Sequence, residues 1–234
     1  MIPALTILAS AAAAGWLVPL LLLRFDMRRR DPAPVIVAWL LSMTGVVLTA
    51  ATGVALLLLP GHGGSVLALL HHCWHVIQHG SPPEVEVLTG LLGVALLCAL
   101  AVRVLVVFAS GARARARKRQ ESYDVLRLAG RAQDGPPDVL WLPHGTPLAF
   151  SMAGRPGVVV ATDGLTAHLG ETEVAAVFAH ERAHLAGRHH LLVAVVDALR
   201  VTLPFVPLFR AAPRAIRDLV ELAADVAAVR ACGP

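Results

Sequence analysis

A chain of 234 residues that is 56% hydrophobic and only 15% charged, with a mean hydropathy of +0.68, lies outside the range of a soluble globular domain. Its formal charge of +4 and pI near 9.6 come from arginines clustered at the ends of apolar runs, which points to anionic lipid and makes direct nucleic-acid binding unnecessary. Three cysteines, Cys73, Cys98 and Cys232, show no CxxC spacing and no disulfide framework, so they read as free thiols.

In chain order, the runs 2–23, 35–59 and 87–109 are each long enough to cross about 30 Å of hydrocarbon as a helix. The first has no basic residue before it and is followed by Arg24, Arg28, Arg29 and Arg30, so it reads as an anchor with its amino terminus outside. A cleaved signal peptide is the weaker reading, because the apolar stretch before the Ala-rich residues 10–14 is short and more apolar sequence follows. Arg113, Arg115, Arg117, Lys118 and Arg119 follow the third run, whereas 61–86 holds no Lys or Arg, so both basic segments are expected in the cytoplasm. Arg103, inside the third run, is expected to snorkel to the headgroups. In the outer loop His71, His75 and His79 are spaced i, i+4, i+8, with His62 and His72 nearby. One helical face there can bind a metal or sense pH, but a plain interfacial loop with Trp74 at headgroup level is the more economical reading.

Beyond the basic run, 121–131 reads as a short helix ended by Gly135-Pro136-Pro137. Three β-prone runs follow, 138–142, 148–152 and 158–162, separated by Pro143-His144-Gly145 and by Gly154-Arg155-Pro156-Gly157 and closed by Asp163-Gly164. They predict a small antiparallel sheet whose edge can hold an extended peptide by main-chain hydrogen bonds.

Residues 171–179 are mostly strong helix formers with Glu171 and Glu173 in the first turn, and they lead into His180-Glu181-Arg182-Ala183-His184. On a helix, HExxH projects His180 and His184 from one face, where both rings can reach one zinc ion, with Glu181 beside them to take a proton from an attacking water. The competing reading is a solvated His-rich helix, since His189 and His190 follow closely. A catalytic zinc needs a third protein ligand, and Glu221 and Asp225, at i, i+4 in a second Ala-rich helix, supply the candidates. One can bind the metal while the other accepts the N–H of a liganding imidazole. The alternative is an ordinary acidic pair near Arg214 and Arg217.

The segment 191–209 is apolar enough to score as a fourth span, yet it separates His184 from Glu221, which must meet at one ion. Pro204, Pro207, Asp197 and Arg200 interrupt it, so it is expected to be bent and re-entrant or embedded instead of crossing.

Pro147-Leu148-Ala149-Phe150, the stretch from Gly157 to Leu165 and the stretch from Glu173 to His184 resemble integral-membrane gluzincin peptidases. The BlaR/MecR-type sensor family is the nearest in pattern, with HtpX-type membrane proteases as relatives, and the resemblance covers about the second half of the chain together with the three preceding spans. It implies a cytoplasm-facing zinc endopeptidase with one catalytic ion. His180, His184 and Glu221 would bind the zinc, Glu181 would be the general base and Asp225 would support a histidine. It further implies a protein substrate, a cytoplasmic repressor in the sensors and damaged membrane proteins in HtpX-type relatives. No penicillin-binding-like domain is present in this sequence, so β-lactam sensing is unsupported.

The expected organisation is therefore an α-helical membrane anchor over 1–110, a basic linker with a short helix over 111–136 and a small α+β zinc protease domain over 137–234. The bilayer and a protein substrate are the expected partners, with a homodimer left open. Two other functions compete: a signalling or scaffold membrane protein with a structural zinc site, and, least favoured, a His-rich metal transporter. No oxyanion-stabilising residue is evident, and His144, His168, Arg217 and Arg230 are the candidates.

Overall fold

The computed structural model describes residues 2–24, 31–58, 85–129, 138–154 and 156–233. His62, His71, His72, His75, His79, Cys73 and the arginines at 28–30 lie outside the described residues. Cys98 and Cys232 are free thiols.

Three long helices come first: α1 (Ile2–Leu22), α2 (Pro32–Leu58) and α3 (Val85–Ala129). Each is long and apolar enough to cross a membrane. Helices α1 and α2 pack antiparallel, and a Cβ on Gly53 would lie 2.8 Å from Leu8, so glycine permits their close approach. The expected break between the third span and a short helix at 121–131 does not occur. The alternating Ala and Arg after Gly111 are strong helix formers, so α3 continues unbroken for 45 residues, about 68 Å.

The strands are β1 (Val139–Leu142), β2 (Ala149–Met152) and β3 (Val158–Thr162), close to the expected runs. Their sheet is mixed, not antiparallel. The order is β1-β3-β2, with β1 parallel to β3 and β2 antiparallel to it. The reason lies in the β1–β2 loop, which passes over the end of β3. The buried Thr162 hydroxyl donates to Thr146 O at 2.7 Å and accepts from Leu148 N–H at 2.9 Å. The Gly164 N–H donates to His144 O at 2.9 Å. A Cβ on Gly164 would lie 2.3 Å from Gly145 O, so the crossing needs a glycine. Asp163-Gly164, read as a turn, instead opens a short helix, α4 (Asp163–His168).

Helix α5 (Glu171–Ala186) lies on this sheet. Val174 and Phe178 join Val159, Ala161 and Leu165 in one core, and Trp141 meets Phe178 edge to face at 5.9 Å.

Helix α6 (His189–Thr202) follows, then a break, then α7 (Pro207–Cys232), with Pro207 in the first turn where a missing N–H costs nothing. With 14 residues α6 is about 21 Å long, too short to cross. The segment 191–209 thus forms a helical hairpin and not a fourth span. A second core holds that hairpin against the anchor: Trp39, Met43 and Val46 of α2 pack with Val196 of α6 and with Leu208, Phe209, Ile216 and Leu219 of α7. Val206, at the hairpin tip, comes within 2.8 Å of the position a Cβ on Gly15 would take. Gly15 is seven residues inside the end of α1, so the tip reaches about 10 Å along that helix.

Arg103 on α3 points its guanidinium at Val201 O near the end of α6, 3.4 Å away, so it meets the hairpin instead of only reaching for headgroups. Asp197 of α6 receives Arg217 Nη2 at 2.6 and 2.9 Å, and Arg217 Nη1 donates to Pro213 O at 3.1 Å, which joins the two arms of the hairpin.

Candidate metal centre

Helix α5 starts where Gly170 N–H donates to Glu173 Oε2 at 2.8 Å, and Glu171 and Glu173 complement the positive end of its dipole. It ends at Gly187. Arg182, inside the HExxH motif, reaches away from the site and clamps Asp138 at the foot of β1 with two bonds of 2.6 and 2.9 Å. This hydrogen-bonded guanidinium holds the Asp138 carboxyl below the ordinary carboxylate range and raises Arg182 in turn. The opposite face of α5 is thereby fixed, and His180 and His184 are presented to α7.

His180 Nε2 and His184 Nε2 lie 3.1 Å apart, and Glu221 Oε2 of α7 is 3.5 Å from each. A tetrahedral zinc with bonds of about 2.0–2.1 Å requires ligand atoms roughly 3.3–3.4 Å apart. The three side chains form a candidate metal group at that scale, with the histidines half-buried and Glu221 exposed. An N₂O donor set of this shape fits zinc and leaves one tetrahedral position for a non-protein ligand.

The outer ring nitrogens are also engaged. His180 Nδ1 is 2.9 Å from Asp225 Oδ1. A ring that uses Nε2 as ligand carries its proton on Nδ1, so Nδ1–H donates to the carboxylate and fixes tautomer and orientation.

The corresponding partner of His184 was missed. His189 Nδ1 lies 2.9 Å from His184 Nδ1, with the rings at 89°. Burial first, and the adjacent His184 second, hold His189 below the ordinary imidazole range, so at neutral pH it can accept the His184 Nδ1–H. The signal was Gly187: a Cβ there would lie 2.4 Å from His189 Nε2, so the glycine after the motif makes room for this ring.

Glu181 is half-buried beside His180, and its carboxylate has no hydrogen bond or ion pair among the described residues. The four oxyanion candidates have other contacts. His144 Nδ1 accepts from Thr146 N–H at 3.2 Å, and His168 Nδ1 is 2.8 Å from Gly164 O. Arg217 holds Asp197, and Arg230 lies 3.6 Å from Asp31 at the start of α2.

A sequence model of Peptidase family M48 matches residues 95–231, more than half of the chain, and that range includes HExxH, Glu221 and Asp225. The chain belongs to peptidase family M48. Over 70 residues it is also 40% identical to the "Protease HtpX homolog" of Desulforapulum autotrophicum, a stretch that is 29% of this chain and 23% of the relative. The aligned part thus spans under a quarter of that relative's length. Of the two groups the sequence resembles, the HtpX-type proteases are the one this relative supports. A small mixed sheet with helices, joined to three apolar helices, is the architecture of a multi-pass membrane M48 protein.

Proposed function

We propose that the chain is a zinc-dependent endopeptidase that cuts a cytoplasmic or membrane-borne protein at the inner face of the membrane. The triangle of His180, His184 and Glu221, with sides of 3.1, 3.5 and 3.5 Å, carries this reading, because it assembles from two helices the donor set that the family's metal requires. A zinc ion held by these residues would provide Lewis acidity toward the scissile carbonyl and lower the pKa of a water molecule. Glu181 takes the proton of that water as its oxygen attacks the carbonyl carbon, and delivers it to the departing amine nitrogen as the C–N bond breaks. Asp225 and His189 keep the two imidazoles oriented throughout. The substrate backbone pairs in extended form with β2, an edge strand that packs beside α5.

The cytoplasmic placement is supported by Arg230, near the end of α7, which faces Asp31 at the end of α2 that adjoins Arg24 and the arginines at 28–30. The amino terminus of α1 is then outside. The sensor-type resemblance makes a transcriptional repressor one substrate to look for, in a signalling role.

Cells carrying the wild-type chain are compared with cells carrying Glu181→Gln, with zinc content measured on both purified proteins. The variant should keep one zinc per chain and lose cleavage by roughly two to four orders of magnitude. Equal fragment yields from both would refute the assignment of Glu181 as base.

A further inference from the structure

A cavity of about 1040 Å³ opens between the cytoplasmic end of α3, the β2–β3 turn and the α5–α6 turn. Its lining includes the polar Arg119, Arg188 and His190 and the apolar Met152, Leu185 and Leu191. None of the metal-binding triad lines it. Neither Arg119 nor Arg188 has a carboxylate partner among the described residues. Burial pushes the His190 imidazole down, and the positive charges of Arg119, Arg188 and Arg115 push it further, in keeping with two of those arginines sharing the cavity lining with it.

Arg188 stands in the left-handed region, φ 49°, where glycine is favoured, while the neighbouring Gly187 is in ordinary helical geometry. Gly187 leaves room for the His189 ring, 2.4 Å from where a Cβ would lie, while the left-handed position of the turn is taken by an arginine. That arginine faces the cavity.

The location narrows the anion. On α3 the exposed Leu105, Val106 and Phe108 belong to the lipid-facing surface, and Arg113 to Arg119 follow where the helix leaves the apolar region. Leu191, also exposed, lines the cavity. A ligand there meets both guanidinium groups and apolar side chains. We propose that the cavity binds the phosphate of an anionic phospholipid, with the proximal acyl region against Leu191 and Met152. This goes beyond the peptidase reading and does not depend on it, since binding is measured without cleavage.

The test uses the full chain in micelles doped with phosphatidylglycerol or phosphatidylcholine, with retained lipid counted by native mass spectrometry. Two double variants remove equal charge. Arg119→Ala with Arg188→Gly empties the cavity, and glycine suits the left-handed turn; Arg113→Ala with Arg117→Ala removes arginines that do not line it. Phosphatidylglycerol affinity should fall roughly 25-fold in the second, since each surface arginine is worth about five-fold, and at least about ten-fold further in the first, where direct guanidinium–phosphate bonds are lost as well. Thermal unfolding checks that the first double variant is folded, and Arg119→Gln alone provides a milder form that should lose affinity in the same direction. Equal losses in the two doubles would reduce the site to diffuse surface attraction and overturn the proposal. So would wild-type binding of phosphatidylcholine as strong as that of phosphatidylglycerol. Inorganic phosphate that binds alone and displaces the lipid at millimolar concentration would assign the site to a free anion. Displacement by an acidic peptide, with no preference among lipids, would assign it to substrate.

Discussion

The two histidines and the glutamate of the candidate metal centre are held from opposite directions. Helix α5 is fixed by the sheet, through Phe178 and Val174 in the core and Arg182 on Asp138. Helix α7 is fixed by the membrane helices, through Phe209, Ile216 and Leu219 against Trp39 and Met43. The first half of the site is local: His180 and His184 share one helix face whatever surrounds them. The second half exists only where α7 rests on α2. Helices α1 and α2 precede the 95–231 range that matches the family, yet they form the wall behind Glu221. The anchor helices therefore do more than tether the rest of the chain; they help to place Glu221, one of the three candidate metal ligands.

The largest effect that separates the halves comes from matched truncations. Phe178→Ala and Phe209→Ala each remove a phenyl ring from one core, and each should cost about 3–5 kcal/mol of stability. They should differ in metal affinity. Phe209→Ala loosens α7 and with it Glu221, whereas Phe178→Ala leaves the i, i+4 histidine pair on its helix. Chelator competition for zinc on detergent-purified protein reads the difference, with thermal unfolding as the control. A weaker zinc affinity in Phe178→Ala than in Phe209→Ala would show that the sheet, not the membrane helices, governs the site.

A smaller effect compares the two orienting partners. Asp225→Ala and His189→Ala should each lower zinc affinity by about 10–100-fold, the usual cost of losing a partner behind a metal ligand. Asp225 offers a charged acceptor and His189 a neutral one, so Asp225→Ala should lie toward the upper end of that range. Unchanged zinc affinity in His189→Ala would demote the 2.9 Å contact to simple packing.

What the sequence disclosed follows the same division. The pairing of His180 with His184 and of Glu221 with Asp225 on their helices could be read from the sequence, because helical spacing decides which side chains share a face; the approach of one pair to the other depends on how α7 packs. The hairpin over 191–209 was legible through a constraint: ligands on either side of it had to meet. Strand positions were readable from composition, but their order was not, since it depends on where the β1–β2 loop crosses β3. That crossing rests on Gly164, whose missing Cβ leaves no periodic trace. The continuity of α3 was hidden by the change from apolar to basic residues, which alters hydropathy without altering helix propensity. His189 was lost among other histidines, with His190 beside it, and only the preceding Gly187 marked it out.

The smallest effect tests whether the sheet half is held by charge as well as by apolar packing. Arg182 and Asp138 form a two-bond ion pair with side chains 42% and 40% exposed. Solvent screens such a pair, so Arg182→Ala should cost no more than about 1 kcal/mol, well below the loss of Phe178. Its pH dependence has a definite sign. The folded-state pKa of Asp138 lies below the unfolded value because Arg182 bonds the carboxylate, so its contribution is complete above about pH 4 and is lost as pH falls through the folded value. Unfolding midpoints measured from pH 6 down to pH 3 should therefore converge between wild type and Arg182→Ala. A gap that stayed constant across that range would mean that Arg182 acts through its packing over the Phe178 ring, 5.8 Å from the guanidinium carbon, and not through Asp138. In that case the apolar core would be the whole of what fixes the histidine helix to the sheet.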